Sequence, residues 1–176
     1  MSTPARTQEF ATSFRDLYRS QVGYVWNVLR RFGVGRADLE DVTQDTFLRA
    51  YRSYASYDPA RPLRPWLFAL AARAAIDFRK RAHQREIPQE LPDVVSDTEG
   101  PEARVELNER QRLLQKLLGE LSDDLRAVFI MYEYYGHSAP EIAQALDIPL
   151  NTAYSRLRLA RAQFAAAAQR TAAEPP

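Results

Sequence analysis

Residues 138–158 read SAPEIAQALDIPLNTAYSRLR, and the architecture follows from how this stretch folds. Ser138 can accept from an amide three residues on, Pro140 fits a first helical turn, and Glu141 completes a capping box. Ile142, Ala143 and Leu146 then recur at helical spacing as one inward face. Asp147-Ile148-Pro149 turns the chain, and a second helix begins near Leu150. At about 100° per residue, Leu150, Ala153, Leu157, Ala160 and Phe164 share one face of that helix. Asn151, Ser155, Arg158 and Ala162 lie opposite, with Thr152 and Arg156 on one flank and Tyr154 near the other. A short helix, a tight turn and a longer basic helix form a helix-turn-helix. Small polar groups at the front of the second helix, with arginines behind, suit contact to base edges and phosphates. A solvated basic face on a core helix satisfies the same pattern.

Helical patterning continues upstream. Leu113, Leu114, Leu117, Leu118 and Leu121 form a seam. Ser122, Asp123 and Asp124 start a helix carrying Leu125, Val128, Phe129 and Tyr132, which Gly136 stops. Near the N-terminus, Phe14, Leu17, Tyr18, Val25 and Leu29 mark a buried face, ended by Gly33 and Gly35. Asp38 stands at an N-cap position ahead of Val42, Phe47, Leu48 and Tyr51. The loop Tyr57-Asp58-Pro59-Ala60-Arg61-Pro62-Leu63-Arg64-Pro65 interrupts the pattern. Trp66 is expected to open the next helix, with Leu67, Leu70, Ala71 and Ala74 as its stripe and Arg79-Lys80-Arg81 at its end. No alternating strand pattern of useful length occurs, so the fold class is all-α. Between the two helical bodies, residues 82–104 hold Pro88, Pro92, Pro101 and Gly100 among six carboxylates and read as an acidic linker. The organisation is therefore residues 10–81, a linker over 82–104, and residues 105–168.

With 176 residues, 45% hydrophobic and 27% charged, the chain has the balance of a folded protein and not of a disordered one. Cysteine is absent, which excludes disulfides, thiolate metal sites and a thiol nucleophile, and suits a reducing cytoplasm. His83 and His137 are the only histidines, so a histidine-built metal site is not expected. The longest apolar run, Trp66 to Ala72, falls far short of the roughly 20 residues that span a bilayer. The first ten residues lack a signal-peptide core. A net charge of +1 hides a pattern: residues 1–81 hold 14 Lys/Arg against 8 Asp/Glu, and residues 82–104 hold 2 against 6. Basic blocks around an acidic one suggest a multivalent partner.

The stretch Asp38-Leu39-Glu40-Asp41-Val42-Thr43-Gln44-Asp45-Thr46-Phe47-Leu48-Arg49-Ala50-Tyr51, followed by Pro65-Trp66-Leu67-Phe68, resembles domain two of bacterial ECF sigma factors in the sigma-70 family. Leu121 to Phe164, with Glu141-Ile142-Ala143 and Ile148-Pro149-Leu150-Asn151-Thr152-Ala153-Tyr154-Ser155-Arg156-Leu157, is similar to that family's domain four. A helix-turn-helix alone would say little, since response regulators share it; the two blocks in order say more.

The resemblance implies a promoter-recognition subunit that joins core RNA polymerase and directs it to −10 and −35 elements of promoter DNA. Asp38, Asp41, Gln44, Asp45 and Arg49 then correspond to a helix that docks on the polymerase's largest subunit. A solvated acidic face or a carboxylate metal site is the competing reading of those acids. Loop 57–65 and helix 66–81 correspond to the part that captures the opened −10 strand, with Asp58, Arg61, Arg64, Arg73, Arg79, Lys80 and Arg81 as contacts. Trp66 is expected to anchor the core and not to stack on a base. Ala69 and Ala74 depart from polar or basic residues common in the family. Ser138, Asn151, Thr152, Tyr154, Ser155, Arg156 and Arg158 correspond to the −35 reader, in which Tyr154, and Tyr132 nearby, replace commonly basic residues. The acidic linker corresponds to a segment that threads toward the polymerase's active-site cleft. An anti-sigma factor is the further partner the family implies; no cofactor, metal, catalytic residue or membrane insertion is expected, and the place of action is the cytoplasm. A stand-alone helix-turn-helix regulator and an all-α protein-binding adaptor remain as alternatives, each leaving part of the pattern unexplained.

Overall fold

The computed structural model describes the backbone of residues 4–84 and 101–173, and the side chains of residues 14–82 and 109–173. Most of the acidic segment 82–104 therefore lies outside the described residues. Among the described residues there are helices and turns and no strand: α1 (Pro4–Arg31), α2 (Leu39–Tyr54), α3 (Leu63–Gln84), α4 (Pro101–Gly119), α5 (Asp123–Phe129), a π-helical turn (Ile130–Tyr134), α6 (Ala139–Leu146) and α7 (Leu150–Ala173).

The first three helices pack on one another through Val25, Val28, Leu29 and Phe32 of α1 and its exit, Val42 and Phe47 of α2, and Leu67 and Phe68 of α3, all buried. Phe32 and Phe68 meet edge to face at 5.8 Å. Gly33 adopts φ 82°, the left-handed conformation that lets the chain reverse after α1 without strain on a Cβ. Asp38 stands at the N-cap of α2, but its side chain makes no cap hydrogen bond. Thr46 is wholly buried because its hydroxyl donates to the Val42 carbonyl at 2.8 Å, so a polar residue can sit among apolar neighbours. Alanines at 71, 72, 74 and 75 are buried too and let α3 approach closely.

The remaining helices enclose Leu118, Leu121, Val128, Met131, Ile142, Ala153, Leu157 and Ala160. Phe129 stacks on Phe164 at 4.6 Å, which fixes α7 against α5. Arg126 is the unusual core member, only 5% exposed. Its guanidinium donates to the carbonyls of Leu118 (2.7 Å), Gly119 (3.2 Å) and Leu121 (3.3 Å), around the end of α4. The Leu118 carbonyl also accepts from the Leu121 amide at 3.2 Å, so backbone and side chain together close this helix end. Burial pulls the Arg126 pKa below the usual arginine value.

Arg126 also reaches the Phe32 carbonyl at 3.5 Å, so the two helical groups touch. Tyr135 completes the contact, with its ring 4.9 Å from Tyr24 and 5.9 Å from Phe68. Arg31 lies over the Tyr134 ring at 3.2 Å, and Arg79 of α3 pairs with Asp123 of α5. Tyr134 and Tyr135 are delivered there by the π-helical turn, in which the Tyr135 amide bonds five residues back to Ile130 at 3.2 Å.

Candidate nucleic-acid interface

The helix-turn-helix is fixed at both joints. The Ser138 amide donates to Glu141 Oε2 at 2.8 Å, and the Glu141 amide donates back to Ser138 Oγ at 3.4 Å. The Ser138 hydroxyl donating to that carboxylate first, and the Ser138 amide second, hold the Glu141 carboxyl below the usual range. A cap of this kind is worth about 1 kcal/mol. Gly136, with φ 70°, ends the preceding turn as expected. Asp147 turns the chain into α7 from the left-handed region (φ 54°), and the Ile148 amide closes on the Ala143 carbonyl at 3.0 Å. Ser138 thus acts on helix placement, and its hydroxyl is committed to Glu141 at 2.7 Å.

On α7, Asn151, Tyr154, Ser155 and Arg158 are exposed on one side and Ala153, Leu157 and Ala160 are buried on the other. Thr152 is half-buried and accepts from Ser155 Oγ through its carbonyl at 3.0 Å. Tyr154 is 53% exposed at the front of the helix. Three of its arginines differ in their partners. Arg156 pairs with Asp124 at 2.6 Å, on the first turn of α5. Arg161 pairs with Glu133 at 2.5 Å and lies over Tyr132 at 4.9 Å. Arg158 has no ion pair among the described residues, which leaves its cation available outward.

The loop ahead of α3 is staked by its own side chains. Asp58 Oδ1 accepts from the Ala60 amide at 3.0 Å, its carbonyl accepts from the Arg61 amide at 2.9 Å, and the Tyr57 hydroxyl donates to the Arg61 carbonyl. α3 starts at Leu63 and not at Trp66, because Pro65 lies in a first turn where its missing N–H costs nothing. Trp66 is half-buried: it packs against the core and meets Tyr57 at 4.6 Å and Tyr54 at 6.5 Å. Arg61, Arg64, Arg73, Lys80 and Arg81 are exposed. Arg81 Nε donates to the Asp77 carbonyl at 3.2 Å, and Arg64 lies 5.4 Å from the Tyr24 ring. Arg79 stands apart, half-buried and paired with Asp123; burial first, and the charge of Arg126 second, lower its pKa to about 10. Ala69 and Ala74 are buried, so neither position reaches the surface.

On α2, Asp41 and Gln44 are exposed and Asp38 and Asp45 half-buried. Arg49 braces α2 to α3, meeting Asp45 at 3.0 Å and Asp77 at 2.8 Å. Burial opposes its charge, but the bonds to Asp77 and Asp45 outweigh that and raise its pKa. Leu48 (54% exposed) and Tyr51 (47%) lie outward beside these groups. The sequence pattern includes both after Val42 and Phe47 in this helix without assigning them a face. Among the described residues, no His/Cys/Asp/Glu group could hold a metal ion, and no helix is long and apolar enough to cross a membrane.

Comparisons with known proteins match the chain in two blocks. Sigma-70 region 2 matches residues 17–86, and Sigma-70, region 4 matches residues 111–164. The ECF RNA polymerase sigma factor SigL of Mycobacterium tuberculosis is 32% identical over 151 residues, covering 85% of this chain and 85% of that one. RNA polymerase sigma factor NccH of Alcaligenes xylosoxydans xylosoxydans is 31% identical over 145 residues, covering 80% and 78%. Among solved structures, CnrH in complex with the cytosolic domain of CnrY superposes with TM-score 0.65 at 27% identity, over 91% of this chain and 90% of that one. The sigma factor RpoE bound to the anti-sigma factor NepR, from Bartonella quintana, gives TM-score 0.64 at 20% identity over 89% and 97%, a likeness of fold.

Proposed function

The chain belongs to the sigma-70 family as an ECF RNA polymerase sigma factor, and from that premise we propose which of its surfaces does what. Residues 10–81 bind core polymerase and capture the −10 element, residues 82–104 tether, and residues 105–168 read the −35 element. The observation that carries this assignment is the presence of both blocks, in order, in one chain. A stand-alone regulator would have no use for the first of them, nor a protein adaptor for a basic recognition helix.

Polymerase contact falls to Asp38, Asp41, Gln44 and Asp45, with exposed Leu48 and Tyr51 supplying apolar area between them. Arg49 sets the spacing of α2 and α3 and acts as a brace. The opened −10 strand lies along Asp58, Arg61, Arg64, Arg73, Lys80 and Arg81, over a loop preorganised by its own hydrogen bonds. In α7, Asn151, Tyr154, Ser155 and Arg158 face the major groove, while Thr152, Arg156 and Ser138 position the helix. The chain acts in the cytoplasm, without a catalytic step of its own. An anti-sigma factor is its expected regulator, as CnrH is solved with the cytosolic domain of CnrY.

Run-off transcription with core polymerase on a library of upstream sequences tests the assignment. Promoter-specific transcripts support it, and failure to redirect the polymerase overturns it. On the assembled holoenzyme, Arg73→Ala, Lys80→Ala and Arg81→Ala are each expected to reduce the log–log salt slope of −10 strand binding by about 0.7. An unchanged slope would remove that residue from the strand path.

A further inference from the structure

α7 presents a leucine to solvent on the same side as its polar groups. Leu159 lies in the third turn and is 49% exposed. Ser155 stands one turn before it on the same stripe, and Arg158 and Ala162 flank it, all exposed. Ala160, next in the chain, is wholly buried, so the helix is seated with Leu159 outward. Two ion pairs and a ring stack hold that rotation: Arg156 with Asp124 at 2.6 Å, Arg161 with Glu133 at 2.5 Å, and Phe129 on Phe164 at 4.6 Å.

A leucine in that place has one good partner on duplex DNA. The major-groove edges of the base pairs carry donors and acceptors throughout, and the C5-methyl of thymine is the one apolar group among them. Against anything else, Leu159 would cover a donor or acceptor with hydrocarbon and leave it unpaired. Against a methyl, the two apolar groups lose water together. The reach is sufficient. Four residues of helix advance about 6 Å, under two base-pair steps at about 3.4 Å each. Leu159 therefore meets the groove within two pairs of the base that Ser155 faces. A protein partner fits this surface less well, because Asn151, Ser155 and Arg158 leave no apolar centre of the kind such interfaces need.

We propose that Leu159 is a specificity-determining residue of the −35 reader and senses a pyrimidine C5-methyl group, which in unmodified DNA is thymine's. The proposal deepens the sigma-factor assignment above and rests on it. It gives the −35 element a preference for thymine, one or two pairs from the Ser155 contact, that no hydrogen bond supplies.

Run-off transcription on the upstream library first yields the −35 element; absence of any promoter-directed transcript would sink the sigma-factor assignment itself. Holoenzyme affinity is then measured on duplexes in which each thymine in turn is replaced by deoxyuridine, which removes the methyl and keeps the pairing. One replacement is expected to weaken binding about fourfold, the worth of one buried methyl group. Leu159→Ala should weaken binding to the thymine duplex by a similar factor and bind the thymine and uracil duplexes alike. Alanine is a good helix former at this exposed position, so the variant keeps its fold. Leu113→Ala, which removes a comparably exposed leucine (43%) from α4, should retain the fourfold preference. A second set of duplexes carries 5-methylcytosine in place of each cytosine. A gain there that Leu159→Ala removes supports methyl sensing with modified cytosine as the source. The proposal is overturned if no methyl on either base changes affinity, or if Leu159→Ala keeps the preference. It is overturned too if Leu159→Ala lowers transcription with duplex affinity unchanged, which would give the leucine to a protein partner.

Discussion

Arg126→Met should lower the unfolding free energy by about 3 kcal/mol, because it strips the donors from several buried carbonyls at once. Gly119 and Leu121 would lose their side-chain donor, Leu118 one of its two donors, and Phe32 the bond that crosses to the other helical group. Methionine fills much of the space and carries no charge, so the measured loss reports the hydrogen bonds more than a cavity. Arg126→Lys should recover little, since one ammonium cannot face carbonyls spread around a helix end as a planar guanidinium does. Urea unfolding gives the number: a lower midpoint at unchanged slope is the expected result. A shift below about 0.5 kcal/mol would place the capping elsewhere.

Arg158→Ala should lower −35-dependent transcription about tenfold or more, while polymerase binding stays within twofold. Arg158 is singled out because Arg156 and Arg161 are already held by Asp124 and Glu133. A well-placed base contact is worth about 1–3 kcal/mol, and a phosphate contact weakens binding uniformly across sequences. Promoter-library transcription separates these cases, since relaxed preference at one −35 position marks base contact. Ser155→Ala should act in the same direction and more weakly, about fivefold, at roughly 1 kcal/mol for one neutral hydrogen bond. If either substitution lowers transcription and polymerase binding equally, the loss is one of folding.

Much of this molecule was legible in residue order because helices advertise themselves by period and punctuation. The Ser138–Glu141 box, the stop at Gly136 and the buried Ala153–Leu157–Ala160 face follow from local rules. Where the reading departed from the structure, side chains or tertiary contacts decided. The start of α3 moved to Leu63 because proline is welcome in a first turn. Leu113, read as part of a seam, lies outward, as do Leu48 and Tyr51, to which the pattern gave no face, and Thr46 lies inward although polar. Arg79, placed by its basic neighbours on a phosphate path, is engaged by a carboxylate 44 residues away, which no local pattern announces. The same holds for Arg126, whose surroundings in sequence give no hint that it lies in the core.

The π-helical turn over Ile130–Tyr134 sets a reading frame for everything after it. Such a turn is what an α-helix becomes when it absorbs one additional residue. Removing a single position would restore plain winding and rotate the following side chains by about 100°. Tyr135 would then swing away from Tyr24 and Phe68 with no change in the composition of the contact. A one-codon length change, invisible to any substitution scan, is thus the most economical way for descendants of this chain to gain or lose the hold of one half on the other.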